Sequence, residues 1–239
     1  RLGKTLKIGK HTDGPAEKVS IRGFWNGMQE AKGIVSDVEQ EQLNGRSLSD
    51  IAILVRAGFQ TRAFEEELIR AGIAYKIIGG FKFYEREEIR DAVAYLRLIL
   101  NTNDDLSFLR IVNKPRRGIG DQALTAVSAA AKTFKLSLFD AVALAELKPA
   151  ARKALDAFVQ LMKQEREQAA DLTPAQVARH ILETSGYVDF WRQDKSIEAE
   201  GRLENLQELY NVLSDFNTLR DFIEYASLVT DADEQVTAD

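Results

Sequence analysis

A chain of 239 residues, 45% of them hydrophobic, is long enough to bury a sizeable core as one large or two small domains. Its formal net charge of −5 argues against a protein that coats DNA with a uniformly basic surface, and the lack of cysteine excludes disulfides and thiolate metal sites, as suits a reducing cytoplasm. No signal peptide and no apolar run of about eighteen residues is found, so no membrane span is expected.

Residues 1–17, with Gly3, Gly9, Gly14 and Pro15, read as a loop or extended arm. Gly3, Lys4 and Thr5 copy the end of a phosphate-binding P-loop, but the earlier glycine is missing and the following residues cannot sustain a helix, so that reading is rejected. A strand is predicted over 19–25 and a helix over 29–42, with Ile34, Val38 and Leu43 as its contacts. The apolar run 50–55 has the character of a buried parallel strand, and a helix over 61–71 with Phe64, Leu68 and Ile69 closes at Gly72. Residues 74–78 read as the next strand. This rhythm predicts an α/β part, an incomplete parallel sheet over residues 1–78.

Beyond Gly80 the pattern becomes helical, which predicts an all-α part over residues 79–239. A helix over 85–100 would bury Ile89, Val93, Leu96 and Leu100, its acids Glu85, Glu87, Glu88 and Asp91 matching the dipole and Glu87 pairing with Arg90. Further helices are expected over 150–170, from the capping box Thr173, Pro174 and Gln176 to Gly186, over 202–213 with an apolar stripe at 203, 206, 210 and 213, and after Thr218 with Phe222, Ile223 and Ala226. From Thr230 the chain is acidic and expected to fray. Asp233, Glu234 and Gln235 imitate a nucleotide-site strand end without the apolar strand. His11 and His180 lack ligand spacing and read as ordinary surface residues.

Charge is unevenly placed. Residues 106–135 carry Arg110, Lys114, Arg116, Arg117, Lys132 and Lys135 against Asp121 alone. Within that stretch Pro115, Arg116, Arg117, Gly118, Ile119 and Gly120 run into a helix at Asp121 whose apolar face is Leu124, Val127 and Phe134. A helix start offers unpaired N–H groups and positive dipole, glycines admit a close backbone, and arginine forks suit phosphate. The unit reads either as a sequence-independent grip on a duplex backbone, helped by Lys114 and Lys132 with Ile119 as a core anchor, or as a helical corner with solvated charges. A second locus, Arg56, Gln60, Thr61 and Arg62, reads either as a seat for a single-strand phosphate or as a capped helix with exposed arginines.

Tyr75, Ile77, Gly79, Gly80, Phe83, Glu85, Arg86, Glu88, Ile89 and Asp91, then Tyr95, Leu96, Arg97, Leu98, Asn101, Asp104, Asp105, Asn113, Pro115 and residues 117–120, together resemble the UvrD/PcrA/Rep family of superfamily 1 DNA helicases. Residues 202–209 resemble a later helix of the same family's helical insertion, and residues 1–4 the stretch just after its Gln-Asn-Tyr-Arg-Ser motif. The resemblance implies part of the second RecA-like motor domain (2A) over 1–78 and the accessory domain (2B) over 79–239, with Gly79, Gly80, Glu85 and Arg86 at the hinge. It implies a parent enzyme that unwinds DNA 3′ to 5′ with ATP and magnesium, in repair or replication and with repair proteins as possible partners. Neither cofactor is expected in this chain, which has neither the family's P-loop lysine nor its magnesium-holding acid, while the arginine that reaches the γ-phosphate would lie just past Asp239. Gly58 and Phe59 stand where relatives commonly carry Asn-Ala, which removes one expected strand contact. The alternatives are a protein-interaction or autoinhibitory helical module, to which the 202–213 face would contribute, or a piece of an AddA/RecB-type helicase–nuclease.

Overall fold

Asn26 opens the first regular element. Its side chain accepts from the Gln29 amide at 2.9 Å, satisfying one of the donors a helix start leaves unpaired. In the computed structural model, which describes residues 19–78 and 80–236, that helix is α1 (Gly27–Leu43). A second helix, α2 (Thr61–Arg70), closes at Gly72, whose φ of 68° suits a residue without a Cβ. The two pack through a small core of Val35, Val38, Leu68 and Ile73, flanked by Leu48, Ile51, Ile53, Ala71 and Tyr75.

The predicted incomplete parallel sheet is not present: among the described residues all regular structure is helical, with no strand or bridge. Residues 19–24, 51–55 and 73–77 lie outside any helix, yet two of them keep the alternation of a strand. Ile51 and Ile53 turn toward α1 and α2 while Leu54 is 93% exposed; Ile73 is buried and Ile78 is 84% exposed. Apolar, β-branched composition states a demand for burial, but a strand forms only where a neighbour takes its N–H and C=O groups. One face of these segments is covered by helices, and no second segment pairs with them among the described residues.

The remaining elements are α3 (Glu87–Leu100), α4 (Asp105–Ile111), α5 (Asp121–Phe134), α6 (Leu138–Ala141), α7 (Pro149–Gln168), α8 (Pro174–Thr184), α9 (Tyr187–Gln193), α10 (Glu198–Leu213) and α11 (Leu219–Val236). Helix α3 is the hub and touches α4, α7, α8, α10 and α11. Its Ile89, Tyr95, Leu96 and Leu98 are wholly buried, each such aliphatic side chain contributing about 1.5–3 kcal/mol over an exposed one. Phe108 of α4 meets Phe158 of α7 edge-on at 5.8 Å, and Tyr187 of α9 lies 5.9 Å from Tyr95. Thr173 and Gln176 form the predicted capping box before α8, with Pro174 at its first position. No described helix is long and apolar enough to cross a membrane.

The arm over 1–17, the Gly3, Lys4 and Thr5 triplet, His11 and the hinge candidate Gly79 lie outside the described residues, as do the side chains of Asp233, Glu234 and Gln235. His180 is held by Glu165, with Nδ1 2.6 Å from the carboxylate.

Candidate nucleic-acid interface

Between α4 and α5 the chain turns through Asn113–Gly120, with a cis bond at Lys114–Pro115 and Gly118 at φ 74°. Arg117 is the centre of this turn. The two hydrogens of its Nη1 are shared among the carbonyls of Ile111, Val112, Lys114 and Pro115, which lie at 2.9–3.2 Å. Its Nη2 donates to the Tyr95 hydroxyl at 2.8 Å and to the Ser185 carbonyl at 3.2 Å. The guanidinium also lies 5.0 Å from the centre of the Phe158 ring. The fork predicted to meet phosphate is therefore turned inward, because the turn leaves a row of carbonyls that needs a donor.

Asn113 supplies the second brace. Its Oδ1 accepts from the amides of Arg117 at 2.8 Å and Ile119 at 3.4 Å, and its Nδ2 donates to the Ile119 carbonyl at 2.9 Å. Ile119, only 3% exposed, anchors the turn in the core as expected. Lys114 is also engaged, its Nζ 2.7 Å from Glu87 and 3.1 Å from Asp91. Asp91 is buried, with Arg110 Nε at 2.7 Å and the Tyr187 hydroxyl donating at 2.9 Å. Burial, reinforced by that carboxylate, pushes the Tyr187 phenol far above its ordinary pKa and keeps it a donor.

Arg116, Gly118 and Gly120 remain on the exposed rim. Gly120 stands as N-cap of α5 and brings no side chain to cover the first-turn amides. Lys132 is exposed but sits twelve residues along from Gly120, about 18 Å at helical rise, so it does not join the rim.

At the second locus, the Gln60 side-chain oxygen accepts from the amides of Arg56 and Ala57, both at 3.0 Å. Thr61 donates its hydroxyl to the Gly58 carbonyl and accepts from Arg86 Nη2 at 2.8 Å. Arg62 does not face solvent. It is 7% exposed, and its guanidinium reaches Glu66 and, on α10, Glu208, each at 2.7 Å. Burial works against its charge, yet the two carboxylates outweigh that and raise its pKa above the ordinary value. Arg56 and Gln60 are thus the exposed members of this set.

Of the hinge candidates, Gly80 and Glu85 are exposed, while Arg86 ties the parts together. Its Nη1 donates to Asn205 of α10 at 2.7 Å and its Nε to the Phe81 carbonyl at 3.2 Å. Asn205 in turn donates to Glu88 at 2.6 Å, and Arg202 reaches Glu88 at 3.1 Å and Glu87 at 3.3 Å while lying over Trp191. Glu87 is thus paired with Lys114 and Arg202 in place of the predicted Arg90. Sequence reasoning gave no role to Asn113 and Tyr95 as braces or to Asn205 and Glu208 as partners, and it read Asp91 only as an acid matching the helix dipole. The available signal was spacing: Glu88, Asp91 and Tyr95 share the inward stripe of α3.

The described residues thus form an all-helical body with a helix–Gly-x-Gly–helix turn braced from within and a charged joint to a preceding small core. The sequence profile of the UvrD-like helicase C-terminal domain matches residues 2–239, and this chain belongs to that family. It is 39% identical over 234 residues to a probable DNA helicase II homolog of Rickettsia felis, covering 96% of this chain and 35% of that protein. It is 38% identical over 227 residues to the ATP-dependent DNA helicase PcrA of Bacillus subtilis, covering 91% of this chain and 31% of that protein. With the DNA helicase II of Escherichia coli it shares 38% over 222 residues, 91% of this chain and 30% of that protein. The chain spans about a third of the length of these curated relatives.

Proposed function

We propose that this chain is the part of an ATP-dependent 3′–5′ DNA helicase that grips the sugar–phosphate backbone of duplex DNA ahead of the strands being separated. Residues 79–239 would form the accessory part and residues 1–78 belong to the motor. The observation that carries this is the rim of Arg116, Gly118 and Gly120 beside the uncovered start of α5, on a turn held rigid by Asn113 and Arg117. Amides and one arginine fork suit phosphate without reading bases. Arg56 and Gln60 offer a secondary contact for a single strand. Partners would be duplex–single-strand junctions and repair proteins, in the cytoplasm.

ATP and magnesium serve the parent enzyme, and no residue of this chain is assigned to either. The buried carboxylates Glu88, Asp91 and Glu165 are each engaged by donors of the chain itself, so they do not fit as ligands of a metal or nucleotide. The reading of 202–213 as a partner-binding face loses its support, because Leu206, Leu209 and Leu213 are buried within the body.

The test is fluorescence anisotropy of duplex, forked and single-stranded DNA across a salt series. Duplex or fork should be preferred, and Arg116→Glu should lower the slope of log affinity against log salt by about one phosphate contact. A folded Arg116→Glu variant with the wild-type slope would remove the turn from the interface.

A further inference from the structure

Arg117 presents a contradiction that the grip alone does not resolve. It sits inside the turn proposed to hold phosphate, carries the residue type best suited to phosphate, and directs its donors elsewhere. Four of its acceptors are the carbonyls of Ile111, Val112, Lys114 and Pro115, successive but for Asn113. A fifth, the Ser185 carbonyl, closes α8, and the sixth is the Tyr95 hydroxyl of α3. Tyr95 donates in turn to the Lys114 carbonyl, and Asn113 accepts from two amides while holding the Ile119 carbonyl.

These bonds have a common consequence for charge. A phosphate is repelled by carbonyl oxygens and attracted by amides, so a turn that grips one must face its acceptors away. Arg117 and Asn113 between them bind the carbonyls of residues 111, 112, 114, 115 and 119 on the inner side. The rim carries the Arg116 side chain, the glycines and the first amides of α5. A lysine at 117 would keep the positive charge but could not span from the carbonyl row to Tyr95 and Ser185 as a planar fork does.

We infer that Arg117 is a positioning residue for duplex binding: with Asn113 and Tyr95 it gathers five carbonyls of the 111–119 turn inward, so that these acceptors are turned from the face offered to the phosphate backbone. The inference rests on the backbone-grip reading above and adds to it the device that sorts the turn's polarity. Arg117 itself does not touch DNA.

The experiment combines duplex-binding anisotropy over a salt series with hydrogen exchange of the DNA-free chain, for the wild type, Arg117→Lys and Arg116→Ala. Arg117→Lys should bind duplex at least about tenfold more weakly despite its retained charge, with a salt slope reduced by about one to two contacts. Amides of Lys114, Arg117 and Ile119 should lose protection while those of α10 keep theirs. Arg116→Ala should lose affinity with exchange unchanged. A direct phosphate contact by Arg117 would give the opposite result, with slope and exchange preserved in Arg117→Lys, and would overturn the inference. Loss of protection throughout α3, α7, α8 and α10 would also overturn it, by making Arg117 a general support of the fold. If Arg117→Lys does not fold, Asn113→Ala removes the second brace; a folded Asn113→Ala with wild-type affinity and exchange counts against the inference. Absence of duplex binding by the wild type would overturn the grip and the positioning role together, whereas an Arg116→Ala defect beside an intact Arg117→Lys leaves the grip standing and rejects the positioning role.

Discussion

Arg62 and Arg22 show how differently one residue type behaves at two depths. Arg62 and its partners Glu66 and Glu208 have side chains 8%, 4% and 16% exposed, whereas Arg22 and Asp37 are 47% and 50% exposed. Arg62→Ala strands two carboxylates away from water and is expected to cost about 3–5 kcal/mol, while Arg22→Ala should cost less than about 1 kcal/mol. Chemical denaturation of the two variants checks the contrast, and equal losses would refute it. Glu87 gives a milder, pH-dependent case. The hydrogen bond from Lys114 is the main reason its carboxyl sits below the ordinary value of 4.5, against the opposing effect of burial and with help from Arg202. A carboxyl with a lowered folded pKa contributes stability that is fully present above the ordinary value and is lost as pH falls through the lowered one. Because its side chain is 49% exposed, solvent screening keeps the contribution to about 0.5 kcal/mol. Thermal melts should therefore show Glu87→Gln slightly less stable than wild type at neutral pH, with the gap closing as pH falls below the ordinary value of 4.5. A gap that persists there would mean the side chain acts through packing.

At the scale of elements, α5 is the helix whose start is most exposed to interpretation. A Cβ at Gly120 would meet nothing within 4 Å, and the backbone there is ordinary for an N-cap. Gly120→Ser should therefore raise stability by a few tenths of a kcal/mol while its hydroxyl takes the first-turn amides, so duplex affinity should fall as the melting temperature holds or rises. Both quantities falling together would mean the glycine is needed for the turn itself. The helices were largely legible in the sequence because capping and 3.6-residue periodicity are local: α3, α7 and α8 begin within two residues of their predicted starts. The strands were not, since pairing depends on a neighbour that residues 51–55 cannot specify. The turn over 113–120 was legible in which residues are exposed and less so in how its side chains bond. Arg116, Gly118 and Gly120 face out as read, but nothing in the order Pro-Arg-Arg-Gly distinguishes an arginine that faces solvent from one that closes on carbonyls. That distinction is made by Tyr95 and Ser185, 22 and 68 residues away.

Across the whole molecule, the two hydrophobic cores are unequal. The α1–α2 core is built on four buried apolar residues, Val35, Val38, Leu68 and Ile73, whereas the body around α3 joins every helix from α3 to α11. The small core should open first: hydrogen exchange of α1 is expected to proceed by low-energy local openings, while α3 and α8 exchange only near the global unfolding free energy. Uniform protection across both would make them one cooperative unit.

The contact between these unequal parts includes Arg62 with Glu208, Arg86 with Thr61 and Asn205, and the Phe83 amide and Tyr84 hydroxyl with Glu65 and Glu66. Oily seams resist parting because every opening wets apolar area. A polar seam differs, since each group that separates from its partner is rehydrated, and the net cost of opening is far below the cost of deleting one member. Such a seam also closes in only one register, because guanidinium forks and carboxylates must meet again in plane. It therefore has the mechanical character of a clasp: fixed in position when shut, cheap to undo, and able to return to the same setting through repeated cycles.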